Sequence, residues 1–248
     1  KKYEFTGEVK TYLGKTLHKI KAVVSFGIVV KGEIGGWIES EKNLSQDGNA
    51  WVYSDAWVYS DARVYGNARV SGNAEVSGNA RVYGNARVYG NARVYSDAEV
   101  SGNARVYGNA RVYGNARVYS DAEVSGNARV YGNARVSGNA EVSGNARVYG
   151  NARVYGNARV YSDAEVSGNA RVYGNAHFMV IGAIGSRFDF TTFFRNKENG
   201  ISVKCGCFYG TIAEFRAKVT ETHGTDTKFA KVYQAAADLA EIQIELEK

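Results

Sequence analysis

Five residues stand out as able to act as general bases, nucleophiles or metal ligands: His18, His177, His223, Cys205 and Cys207. Imidazole is the usual general base because its charge changes near neutral pH. The three histidines lie in three separate segments, without the short spacing of a metal motif. They read as a cap residue, a coil-junction residue and a residue at a helix C-terminus. Cys205-Gly206-Cys207 would put two sulfurs on one face of a strand. A metal would need two further ligands, and only His223 is in view, so two small thiols buried in a core fit the pattern better. Gly35-Gly36 and the many Gly-Asn pairs form no phosphate loop, because no Gly-x-x-x-x-Gly-Lys-Ser/Thr run occurs. The expectation is a chain with no catalytic residue, no metal and no cofactor.

The elements that would position any site come from a repeat. From Trp51 to Ala176 the sequence divides without a gap into 21 hexapeptides. The pattern is Arg/Glu/Trp, Val, Tyr/Ser, Gly/Ser, Asn/Asp, Ala, with valine second and alanine last in every unit. A helix would smear these positions around its axis. A short strand followed by a corner keeps valine inside and arginine and tyrosine outside. Gly-Asn or Ser-Asp makes the bend, where Gly and Asn tolerate positive φ. Alanine then turns inward where only a small side chain fits.

Charge decides how many units make one turn. Near-identical 24-residue blocks begin at Arg81, Arg105 and Arg147. Four units per turn would stack Glu75, Glu99 and Glu123, and like charges placed opposite one another destabilise. Three per turn place Glu99 between Arg81 and Arg117, and Glu75 between Trp57 and Arg93, leaving Glu123 and Glu141 as the like pair. Three is therefore expected, giving about seven turns and a rod on the order of 34 Å long at ~4.8 Å per turn.

Val-x-x-x-Ala-x over residues 51–176 resembles the hexapeptide signature of left-handed parallel β-helices. That resemblance implies a triangular prism lined by an aliphatic and a small residue. Acyltransferases on that fold use a histidine base, commonly between subunits, and related carbonic anhydrases hold a metal with three histidines. Residues 51–176 contain no His, Cys or Lys, and no insertion. A second resemblance is carried by Ala22-Val23, Phe26-Gly27, Lys31-Gly32, Gly35-Gly36-Trp37-Ile38 and Asn43-Leu44-Ser45-Gln46. They look like the opening of bacterial and prophage hexapeptide-repeat proteins, some labelled transferases on fold alone. Cys205-Gly206-Cys207-Phe208-x-Gly210-Thr211 is similar to the C-terminal domain of related phage and prophage repeat proteins. These resemblances imply a mobile-element origin and name no reaction.

Around the repeat, three units are expected: an N-terminal β cap over 1–50, the solenoid over 51–185, and an α+β module over 186–248. The cap would hold strands at Tyr3–Lys10, Thr16–Val24 and near Trp37-Ile38. Phe178 to Ile184 would extend the solenoid as a degenerate coil. Arg187–Arg195 and Gly200–Phe208 would form a hairpin around residues 196–199. Thr211-Ile212-Ala213-Glu214 is a capping box opening a helix that ends near His223-Gly224. A second helix over 226–247 would place Phe229, Val232, Tyr233, Ala236 and Ala240 on one face. The absence of proline suits unbroken ladders. No apolar run approaches the roughly 18 residues of a membrane span, the first residues lack a signal-peptide core, and two cysteines suit a reducing compartment. The expected location is the cytoplasm of a bacterial host cell, with no membrane partner.

The surface follows from the faces. One face carries Arg93, Arg111, Arg129 and Arg147 beside Tyr95, Tyr113, Tyr131 and Tyr149. Another carries Arg63, Arg81, Arg117, Arg135, Arg153 and Arg171, interrupted by Glu99. The repeat holds 14 Arg against 5 Glu and 5 Asp, within a chain of net charge +6. Such ladders can stabilise the rod themselves or pair with a polyanion such as nucleic acid, tyrosines stacking on bases. The reading is a non-enzymatic scaffold that binds a protein through its end modules. Its alternatives are an acyltransferase-like enzyme with an atypical site near His177 or His223, and a polyanion binder along the solenoid face. Related enzymes trimerise, so a homo-oligomer is a further expectation by analogy.

Overall fold

Valine second and alanine sixth can both be buried, unit after unit, only if the chain turns through the same angle at every corner. The computed structural model describes residues 1–246 and shows this arrangement. Twenty-one two-residue strands, β4 to β24, recur every six residues from Trp51–Val52 to Arg171–Val172. Strands eighteen residues apart pair in parallel, so Val94 lies between Val76 and Val112. Three sheets result: β5-β8-β11-β14-β17-β20-β23, β4 through β22, and β6 through β24. Three units therefore make one turn. Glu99 sits between Arg81 and Arg117, Glu75 between Trp57 and Arg93, and Glu123 faces Glu141.

The backbone ladder runs from turn to turn. Arg93 N–H donates to the Ala110 carbonyl (2.9 Å), Tyr95 N–H to Val112 (3.0 Å) and Asn91 N–H to Gly108 (2.8 Å). Every repeat valine is fully buried, as are the unit-closing alanines from Ala50 to Ala170. Ala176, at the last corner, is only half-buried.

The corner differs from expectation in one respect: only the fourth residue takes a left-handed conformation. Gly108 has φ 69° and Ser96 has φ 60°, whereas no repeat asparagine has positive φ. Asparagine instead forms side-chain ladders. Asn73, Asn91, Asn109, Asn127 and Asn145 each donate an amide N–H one turn onward at 2.9–3.3 Å, and the run stops at Asp163. Aspartate accepts such a bond but has no donor to pass on.

The solenoid begins before the repeat. Strand β3 (Ile34–Ile38) pairs in parallel with β5, setting Trp37 opposite Trp57, and Leu44 bridges Val64. Residues 34–50 thus form a turn ahead of the seven hexapeptide turns, about eight in all. Gly35 and Gly36 make the close approach possible. A Cβ on Gly35 would lie 2.6 Å from Ile20 Cγ1, and one on Gly36 would lie 2.5 Å from the Ala56 carbonyl oxygen. Strands β1 (Tyr3–Tyr12) and β2 (Lys15–Ala22) pair antiparallel beside β3.

At this end the carbonyls that the regular backbone ladder does not reach are taken by side chains. Lys2 Nζ donates to Ala50 (2.9 Å) and Gly48 (3.3 Å), while Asn43 Nδ2 donates to Ser60 (2.8 Å) and Ala62 (2.9 Å). The buried Tyr3 hydroxyl donates to Leu44 (2.7 Å). An unsatisfied buried carbonyl is costly, which is why these groups are drawn inward.

At the other end, β25 (Phe178–Ile184) is not a further coil. It pairs antiparallel with β26 (Asp189–Arg195), which continues to β27 (Ile201–Cys205) and β28 (Phe208–Thr211). In the hexapeptide frame Val180-Ile181-Gly182 stand where the repeat has Gly-Asn-Ala, so the corner that would turn the chain is missing. Helix α1 (Ile212–His223) opens with the Thr211–Glu214 capping box and closes on Gly224 at φ 74°. Helix α2 spans Lys228–Gln243 and buries Ala230, Tyr233, Ala236, Ala237 and Ala240, with Phe229 and Val232 half-buried at its edge. It is shorter than expected at both ends, and residue 247 of the expected span lies outside the described residues. Among the described residues no helix is long and apolar enough to cross a membrane.

Candidate functional site

The expected arginine–tyrosine face is assembled. Arg93, Arg111, Arg129 and Arg147 are consecutive rungs of one sheet. Beside them Tyr95, Tyr113, Tyr131 and Tyr149 stack with centroids 4.9 Å apart and planes within 5°. Burial between neighbouring rings pushes the Tyr95, Tyr131 and Tyr149 hydroxyls above the ordinary phenol range, so all three remain protonated donors at neutral pH. Both ends of the ladder are held by carboxylates. Glu75 pairs with Arg93 (3.4 Å), while Glu165 pairs with Arg147 (3.1 Å) and with Lys204 (3.7 Å) from the C-terminal sheet. Arg111 and Arg129 lie between, without an ion pair among the described residues.

The three histidines do not converge, and of them only His223 shares a groove with the cysteines. His18 stacks on Phe5 at 4.5 Å. His177 is buried, its ring 3.6 Å from that of Tyr173 and its Nδ1 accepting the Tyr173 N–H at 3.4 Å. His223 ends α1 and stacks near Tyr233 at 5.8 Å. The two sulfurs do not share a strand face. Gly206, at φ 54°, makes a turn, so Cys205 ends β27 half-buried and Cys207 is exposed. Cys207 therefore lies outside the core, while Cys205 packs at the edge of the core beneath the helices. Cys205 Sγ accepts the Thr191 hydroxyl at 3.2 Å. Among the described residues, no three His, Cys, Asp or Glu gather as a metal site.

Cys205, Cys207, Phe208, Phe215, His223 and Tyr233 instead line a groove of about 560 Å³ between the C-terminal sheet and α1. Burial first, and then the adjacent Cys205 sulfur, push the Tyr233 hydroxyl upward. No hydrogen bond joins His223 to either cysteine among the described residues, and the groove offers shape and a largely apolar surface. The periodicity of the repeat could not show this groove, because its walls come from segments as far apart as Ser186 and Tyr233.

Residues 62–78, 86–102, 110–126, 122–138, 128–144, 140–154, 152–166 and 164–177 match the family model described as the YdcK β-solenoid repeat. The chain is a repeat β-solenoid protein. No curated protein matches it. The matched segments all lie between residues 62 and 177, with gaps at 79–85 and 103–109; they contain the ladder from Arg93 to Tyr149 and leave out the groove.

Proposed function

We propose that this chain is a rigid interaction scaffold that engages a macromolecule, in the first instance a protein, through its two end modules. The observation that carries the reading is where large apolar side chains meet solvent. The N-terminal module exposes Ile28 (63%) and Val30 (64%), with Val24 and Ile34 nearby in sequence, and the C-terminal module exposes Phe188 (74%) and Ile242 (83%). Of the large hydrophobics exposed among the described residues, the hexapeptide turns over 51–176 contribute only Tyr161. Exposed apolar clusters mark interaction surfaces. A rod of near-identical units supplies fixed spacing and little specificity of its own. The resemblance to phage and prophage repeat proteins supports a bacterial cytoplasmic setting, where both cysteines stay free thiols.

The test places a photoreactive side chain at Ile28, Ile242 or Tyr113 of the full chain in bacterial cells. Discrete cross-linked partners are expected from the two end positions and not from Tyr113. Partners captured from Tyr113 alone would overturn the reading in favour of binding along the rod.

A further inference from the structure

The third residue of each unit builds the tyrosine ladder, and serine in that place leaves a gap one ring wide. Seven units carry serine there. Five of these also begin with glutamate, and wherever a tyrosine stands in the preceding turn it leans across the gap. Tyr59, Tyr83, Tyr107 and Tyr149 donate in this way to Glu75, Glu99, Glu123 and Glu165. Beneath them Ser77, Ser101 and Ser167 are buried.

Two units, beginning at Arg69 and Arg135, combine serine with arginine. No carboxylate closes these gaps, and Ser71 and Ser137 stay half-exposed. The same recess forms at both. One, of about 510 Å³, is lined by Tyr53, Arg69, Ser71, Arg87, Tyr89 and Arg105. The other, of about 200 Å³, is lined by Tyr119, Arg135, Ser137, Arg153, Tyr155 and Arg171. Arg105 pairs with Glu123 at 3.0 Å; the other five arginines form no ion pair among the described residues.

We propose that each recess binds one nucleotide, its base replacing the missing tyrosine ring and its phosphate held by the arginine column. Unbroken parts of the ladder stack rings at 4.8–4.9 Å, opening to 5.5 Å only at Tyr155–Tyr173 by the last turn. The two tyrosines that border a serine are two turns apart, about 10 Å, so a planar ring placed between them restores the spacing of the stack. The arginine column runs two residues away along the strand, roughly 7 Å, across which a sugar joins base to phosphate. Guanidinium groups take phosphate oxygens two at a time, and aromatic faces accept any base. The ladder from Tyr95 to Tyr149 has no gap and would not admit a base. Ser71 and Ser137 lie on different sheets, so the two sites act independently.

The experiment is calorimetric titration of the full chain at low salt with ADP, adenosine, inorganic phosphate and a short single-stranded oligo(dA). Two ADP per chain are expected, with adenosine and phosphate at least tenfold weaker. Ser71→Tyr or Ser137→Tyr should leave one site, and the double variant none, with every arginine still present. Tyrosine is the commonest residue at this position, so the double variant is expected to unfold at or above the wild-type temperature. Arg87→Ala with Arg153→Ala should weaken ADP at least tenfold and is decisive if the tyrosine variants misfold. Oligo(dA) binding tighter than ADP assigns the sites to a nucleic-acid strand, and the reverse order to free nucleotide; either supports the inference. Absence of ADP binding, or unchanged binding in the double tyrosine variant, overturns it.

Discussion

Phe193 and Phe194, adjacent on β26, face opposite ways: Phe194 packs into the end of the valine core, and Phe193 packs into the helical layer. Phe193 meets Phe215 edge-on at 5.7 Å. Both are fully buried, so truncating either should cost about 3–5 kcal/mol, but in different places. Phe194→Ala should lower hydrogen-exchange protection in the last turn around Arg171–Val172. Phe193→Ala should lower it in α1 and α2 and spare the rod. Equal loss in both regions from either variant would show that rod and module unfold as one unit.

Much of this architecture was legible because period and charge are both local properties of the repeat. Valine and alanine fixed what lies inside, and the rungs around Glu99 fixed three units per turn. What escaped was set by contacts distant in sequence. Nothing near Lys2 in the chain announces that its ammonium reaches Ala50, and Phe178–Ile184 reads as apolar strand whichever partner it takes. Of the candidate surface, the ladder from Arg93 to Tyr149 follows from counting by eighteen. The groove around Cys205 and His223 does not, because α1 must first fold back over β27.

The fourth place of each unit tolerates side chains narrowly. A Cβ on Gly108 would lie 3.0 Å from the Gly126 nitrogen and 3.1 Å from its carbonyl oxygen, at a φ of 69°. Left-handed backbone is an outlier for β-branched residues. Gly108→Val should therefore destabilise by about 2 kcal/mol or more, while Ser96→Gly at the equivalent corner, φ 60°, should be neutral or stabilising. Chemical denaturation midpoints compare the two.

Glu99 is the negative rung between Arg81 and Arg117, and it also accepts the Tyr83 hydroxyl. Its ion pair with Arg117 is long, 3.8 Å, and the arginine side chain is half-exposed. Glu99→Arg would complete an unbroken column of seven arginines in register, from Arg63 to Arg171, and remove the tyrosine's acceptor. A loss on the order of 1 kcal/mol is expected at low ionic strength. Screening should recover part of it in high salt, read as a narrowing gap between melting temperatures. A gap that stays constant would assign the loss to the hydroxyl contact.

Lys2 gives the clearest dependence on pH. Burial at the first turn lowers its ammonium from 10.5 to about 8, against a smaller opposing pull from Asp47. Lys10, over the rings of Trp37 and Trp57, is lowered to about 8 as well, again chiefly by desolvation. Below about pH 8, folded and unfolded chains both carry these protons and stability does not respond. From there upward the unfolded chain binds the protons and the folded chain does not, so stability rises with pH. The rise should hold to about pH 9, above which ionising tyrosines in the unfolded chain oppose it. Lys2→Met removes one of the two groups and should roughly halve the slope of unfolding free energy just above pH 8, between about pH 8 and 9. It also strips the Ala50 and Gly48 carbonyls of their donor, so the variant should be less stable than wild type throughout that range. A slope unchanged by the substitution would mean that Lys2 keeps its ordinary proton affinity when folded.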